Sequence, residues 1–290
     1  MVVPMKSDHP ANVRCVALDF DLTMFDYSRP SDTLVLGPWF KRLHKDGLML
    51  GIASGRTLAD LQYELEKIGM SWRKNFPEFV IHEEFYIHWP GSKAAAEIAL
   101  WNAECAAEVK EVCQVMRPFF DACAEQMAGL GIGIKAGVEE TAAGLTLVLE
   151  NPPGAEQARL LLQEIAGPSN PARISRNHHI LLATPANHHK GAALEKLRSL
   201  AGFAPAEVLA VGDNLNDLAM MDHSLGFRCA TVGNAEADVS RLVAERGGHQ
   251  ASAAIAFGVV ELLDALFAAR GLHAERQAQP HAGLSSPVVL

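Results

Sequence analysis

The chain has no run of 18 apolar residues, no C-x-x-C pair, no basic patch and no apolar stretch near its start. Each absence removes a class. The longest apolar stretch, about Ala251 to Val260, is closed by Glu261 and Asp264, so no bilayer-spanning helix is expected. The five cysteines, Cys15, Cys105, Cys113, Cys123 and Cys229, are odd in number and scattered. They fit thiols in a reducing cytosol better than a disulfide framework or a zinc site. Met1 to Pro10 carries Lys6, Asp8 and His9 and no apolar core, so no signal peptide is expected and the expected location is cytoplasmic. The net charge is -9. A chain whose main task is to grip nucleic acid or an anionic membrane carries the opposite sign. Neither is expected as a partner. If the substrate is anionic, a metal ion or a few placed cations must supply the positive charge.

What is present is ample core material. Of the 290 residues 49% are hydrophobic, enough for one large domain or two ordinary ones. Val13 to Leu18, Leu48 to Ala53 and Phe79 to Ile81 read as buried strands. Between them lie two helical patterns, one with Ser31 and Asp32 as candidate caps, the other opened by Thr57 with Leu58, Leu61, Leu65 and Ile68 on one face. This alternation predicts a parallel sheet with covering helices. The middle differs. Lys93 to Met127 reads as helix broken in two by Pro118. Strand pairs follow at Ile132 to Ala136 with Leu145 to Leu149, and at Arg173 to Ser175 with Ile180 to Ala183, separated by a helix from Ala155 to Ile165. Two helix-plus-hairpin units predict an α+β insert with an antiparallel sheet. Alternation returns with a helix from Lys190 to Leu200, a strand from Glu207 to Val211, a helix from Leu215 to Met221, a strand from Phe227 to Val232 and a closing helix from Ala253 to Ala269. The expected division is one discontinuous core, residues 1–83 and 186–273, an inserted domain, 84–185, and a disordered tail, 274–290.

Chemistry concentrates at strand ends. Asp19-Phe20-Asp21-Leu22-Thr23 follows the first strand, where α/β sheets bind ligands. One carboxylate there can act as a nucleophile and the other as a general acid and base. Ala53-Ser54-Gly55-Arg56 ends the second strand and opens a helix whose N–H groups could hold a phosphoryl oxygen. Lys190-Gly191 places a cation at a helix start. Gly212-Asp213-Asn214-Leu215-Asn216-Asp217 ends another strand with the oxygen ligands that suit Mg2+. Read singly, each element is also explained by helix capping or a surface lysine. Together they put a nucleophile, an acid/base, a hydroxyl, a cation and a metal site on one sheet edge.

The order D-x-D-x-T, S-G-R, K-G, G-D-x-x-N-D resembles the haloacid dehalogenase (HAD) superfamily of phosphohydrolases. The paired helix-hairpin insert resembles a C2B-type cap, as in the Cof-like subgroup with its sugar phosphatases and phosphomannomutases. The resemblance implies a Rossmann-like α/β core and a Mg2+-dependent phosphatase acting on a small phosphorylated metabolite such as a sugar phosphate. It implies Asp19 as nucleophile and metal ligand, and Asp21 as general acid/base that lends the metal its backbone carbonyl. Lys190 would offset charge, and Asp213 would be a metal ligand supported by Asn216 and Asp217. Thr23 would brace the loop, and with Ser54, Gly55 and Arg56 would form the phosphate and substrate cradle. A phosphomutase is the alternative, and an inactive scaffold that only binds is a weaker one. A monomer or homodimer is expected.

Two positions depart from the pattern: Leu22 stands where Gly is usual, and the hinge reads His82-Glu83-Glu84-Phe85 where relatives carry Asn-Gly. The pairs His178-His179 and His188-His189 make poor chelates, because neighbouring side chains on a strand diverge. Trp89 and Trp101 read as packing residues. Gly137 to Gly144 and Arg176 to His179 are expected as insert loops that set the substrate.

Overall fold

The computed structural model describes residues 13–70 and 76–267. The expected tail and the far end of the closing helix lie outside these residues. Two sheets organise the chain. The first has seven strands in the order β11-β10-β9-β1-β2-β3-β4. Its strands are β1 (Cys15–Leu18), β2 (Met49–Ala53), β3 (Phe79–His82), β4 (Tyr86–His88), β9 (Val208–Val211), β10 (Arg228–Thr231) and β11 (His249–Gln250). All neighbours pair in parallel except β3 with β4. The strand β1 is buried throughout and lies between β2 and β9, which explains its unbroken apolar sequence. Because β4 pairs with β3, this sheet reaches His88, past the residue where the insert was expected to begin.

Six helices accompany the two sheets on either side of the insert and within it: α1 (Gly37–Lys45), α2 (Leu58–Lys67), α3 (Ala95–Gly129), α4 (Pro152–Ala166), α5 (Lys190–Ala201) and α6 (Ala237–Glu245), and α7 (Ile255–Phe267) closes the described chain. Thr57 caps α2 as expected, accepting the Asp60 N–H at 3.1 Å. Ser31 and Asp32 do not cap α1. They lie inside a 3-10 helix, Pro30–Leu36, that leads into it, since Pro30 presets the first turn. The segment Leu215–Met221 is likewise a 3-10 helix.

The second sheet is antiparallel, β5-β6-β8-β7, from β5 (Ile134–Thr141), β6 (Gly144–Leu149), β7 (Ala172–Asn177) and β8 (Ile180–Pro185). The helices α3 and α4 pack against it through Val112, Met116, Phe120, Cys123, Ala155, Ala158 and Leu162. Two expectations are corrected here. Pro118 does not break α3, which runs unbroken for 35 residues. Pro118 and Gln114 both lie on the exposed face, so the Gln114 carbonyl that loses its donor is open to water. The stretch expected as a loop from Gly137 onward is mostly strand, and only Ala142 and Ala143 separate β5 from β6.

Candidate active site

The parallel strands β1, β2 and β9 end side by side, so the segments that follow them share one edge of the sheet. Asp19 is buried there and its N–H donates to the Val211 carbonyl at 2.8 Å, which fixes it against the end of β9. Lys190 is the first residue of α5 and is 0% exposed. Its Nζ donates to Asp19 Oδ1 and to Asp217 Oδ1, both at 2.7 Å. Gly191 lets α5 come this close, because a Cβ there would run into the Ala219 carbonyl.

Asp19, Asp213 and Asp217 present carboxylate oxygens within 4.8 Å of one another, and all three residues are buried. One ammonium does not balance three carboxylates. Burial, reinforced by Asp217, pushes the Asp19 carboxyl well above its usual range. Burial and Asp217 also lift Asp213 to about 7. Burial alone would lower the Lys190 pKa, but Asp19 and Asp217 outweigh it and hold it well above the lysine range. A cluster of hard oxygen donors short of positive charge fits a divalent cation. Asp217 already accepts from Lys190 and from the Asp213 and Asn214 N–H groups, each of the latter at 3.0 Å, so it braces the loop. A Cβ on Gly212 would meet its carboxylate at 2.5 Å.

The Asp21 carboxylate stands apart from that group. Both its oxygens accept from Arg56 Nε, at 2.8 and 2.9 Å, and the guanidinium lies 4.5 Å over the Tyr27 ring. Arg56 therefore reaches the site through Asp21, and its Nη groups make no hydrogen bond to the described residues. Thr23 Oγ1 donates to Asp213 Oδ1 at 2.7 Å, so its hydroxyl proton is engaged within the acidic loop. Ser54 is fully buried. Its Oγ accepts the Arg56 N–H at 3.2 Å while its own hydroxyl proton meets no acceptor among the described residues. Gly55 lies against Glu84, whose Oε1 a Cβ would meet at 2.5 Å. Asn216 turns its Nδ2 to Glu84 Oε1 at 3.0 Å and bonds neither Lys190 nor the three carboxylates.

Two residues here escaped the sequence, and a third, Asn214, stood in the strand-end motif only as a helix cap, which it is. Tyr27 carries no motif. Glu84 is the hinge departure, with no sequence sign that it folds into the site. Asn214 Nδ2 is buried beside the acidic group and has no hydrogen-bond partner among the described residues. The histidines serve structure instead: His188 Nδ1 meets Glu108 at 2.8 Å, and His189 caps α5 with a pKa lowered to about 4 by burial and Arg173. His178 and His179 form the β7–β8 turn. Trp101 donates to the Phe85 carbonyl at 2.9 Å. All five cysteines are buried and unpaired.

Residues 139–257 match the model of the haloacid dehalogenase-like hydrolase family. No curated protein matches the sequence. Among solved structures, the chain is similar to sucrose-phosphatase from Synechocystis, solved with sucrose and phosphate, at 16% identity and TM-score 0.64, covering 88% of this chain and 98% of that one. It is similar to a putative HAD/Cof-like hydrolase from Plasmodium vivax at 16% identity and TM-score 0.57, covering 89% and 96%. It is also similar to a HAD-superfamily phosphatase from Bacteroides thetaiotaomicron at 14% identity and TM-score 0.54, covering 91% and 98%. The match to this hydrolase family thus lies in residues 139–257, and the likeness to these structures shows a shared fold over most of the chain.

Proposed function

We propose that the protein is a Mg2+-dependent phosphatase that hydrolyses a small phosphorylated metabolite, a sugar phosphate, through a phosphorylated Asp19. The observation that carries this reading is the buried Lys190 held between Asp19 and Asp217, with Asp21 two residues from Asp19 and free of that cluster. Asp19 Oδ2 is the oxygen without a lysine bond, and it attacks phosphorus in line with the ester oxygen. The P–O ester bond breaks as the Asp19–phosphorus bond forms. Asp21 protonates the departing oxygen, then takes the proton of the water that releases phosphate. Lys190 offsets the negative charge on Asp19 and the phosphoryl oxygens, and the Ser54 hydroxyl with nearby N–H groups receives those oxygens. Mg2+ held by Asp19, Asp213 and the Asp21 backbone carbonyl would supply the remaining positive charge.

The structural likeness to a sucrose-phosphatase, and a second sheet large enough to shield the site, support a sugar leaving group. The test is a panel of phosphorylated metabolites assayed with and without Mg2+ for free phosphate and for isomers. Metal-dependent phosphate release is expected. Isomer formation without free phosphate would replace the phosphatase reading with a mutase, and no turnover on any ester would leave only a binding role.

A further inference from the structure

Glu84 is costly where it stands. Glu83 and Glu84 both adopt left-handed backbone conformations, φ 48° and 73°, which suit glycine and strain a side-chain-bearing residue by about 1–2 kcal/mol each. The Glu84 carboxylate is buried, with the residue 6% exposed. Among the described residues its carboxylate accepts a single hydrogen bond, from Asn216 Nδ2 to Oε1 at 3.0 Å. The other oxygen accepts nothing from the described residues, and it is not sealed from solvent. A carboxylate that pays for strain and burial with one hydrogen bond is not there for stability.

Its position is fixed against the phosphoryl cradle. The Glu84 N–H donates to the Ser54 carbonyl at 3.1 Å, and the Glu83 N–H donates to the Arg56 carbonyl at 2.9 Å. The hinge is thus zipped to the loop that carries Ser54, Gly55 and Arg56, and the carboxylate rests on Gly55. Lys190 and Arg173 of β7 lie within electrostatic range. Substrate held by Ser54 and Asp19 must therefore place the first atoms of its leaving group near the unbonded oxygen of Glu84.

We propose that Glu84 is a specificity-determining residue that accepts a hydrogen bond from a hydroxyl beside the phosphoester and rejects leaving groups with a carboxylate at that position. This rests on the phosphatase reading and narrows it to neutral, polyhydroxylated leaving groups. A hydroxyl supplies the donor that the free oxygen lacks. A carboxylate supplies none and sets two like charges side by side at a site with little water.

Glycerol 2-phosphate and 2-phosphoglycerate test this, since they differ only in a hydroxymethyl or a carboxylate next to the ester carbon. With Mg2+ and the full chain, kcat/KM should favour glycerol 2-phosphate by about tenfold or more. Glu84→Gln should shrink that ratio several-fold, chiefly by gain on 2-phosphoglycerate. Glu84→Gly removes the carboxylate and relieves the backbone, so it should melt no lower than wild type and shift the ratio the same way. An indifferent wild type, or a ratio unmoved in both variants, would overturn the role of Glu84. Hydrolysis of neither compound, nor of any ester in the metabolite panel, would overturn the phosphatase reading and this inference with it.

Discussion

Asp213 shows how the acidic cluster links metal, pH and stability. Its folded pKa of about 7 lies above the ordinary 3.8. Between these values the unfolded chain gives up the proton and the folded chain keeps it, so stability present at low pH is lost as pH rises toward about 7. Without divalent cations, wild type should therefore lose ground to Asp213→Asn over this range, as read by paired thermal melts. Added Mg2+ should reverse the order at pH 7. Parallel melts across the range, with or without Mg2+, would count against a charge-starved site. Thr23→Val removes the 2.7 Å bond to Asp213 and should cost about 1–2 kcal/mol in denaturant unfolding. At this scale the sequence was informative where chemistry follows a fixed spacing: Asp19, Asp213 and Lys190 come together from three segments. It was uninformative where a side chain chooses its partner by folding. Arg56 on Asp21, Thr23 on Asp213 and Asn216 on Glu84 are settled by contacts far apart in sequence.

Elements carry these residues to the sheet edge by close approach. Gly191 is the clearest case, because any Cβ there strikes the Ala219 backbone and pushes α5 away. Gly191→Ala should lower stability by about 1–3 kcal/mol and displace Lys190, so turnover should fall more than the stability loss explains. Unchanged melting and unchanged kcat would mean that α5 has room to spare. Periodicity revealed α2, α5 and the buried strands, since their apolar positions repeat cleanly. It did not reveal α6 or β11, because Ala237–Glu245 is a short amphipathic helix between polar loops and β11 is only two residues long. Pro118 misled for a related reason: its effect depends on which face of α3 it occupies, and that face is set by packing against the second sheet.

At the scale of the whole molecule, polar contacts tie the second sheet and its helices to the first, among them Tyr86 Oη to the Ala142 carbonyl at 3.0 Å. Arg176 of β7 donates to both carboxylate oxygens of Glu236, the residue before α6, at 2.8 and 2.7 Å, and to Glu156 of α4 at 3.0 Å. This pair spans from the second sheet to the segment between β10 and α6. Arg176→Ala should loosen that closure, raising KM several-fold with less effect on kcat, and an unchanged KM would deny it a role in closure. The excess of acidic residues falls partly at a site where carboxylates gather around a lysine and can hold a cation. The account centres on Asp19 as the atom donor to phosphorus. Acid quenching during turnover of a reactive phosphoester with Mg2+, then mass analysis of the peptides, tests this most directly. One phosphoryl group on the peptide containing Asp19, absent in Asp19→Asn together with turnover, is the predicted result. Turnover retained by Asp19→Asn, or a phosphoryl group on any other residue, would contradict it.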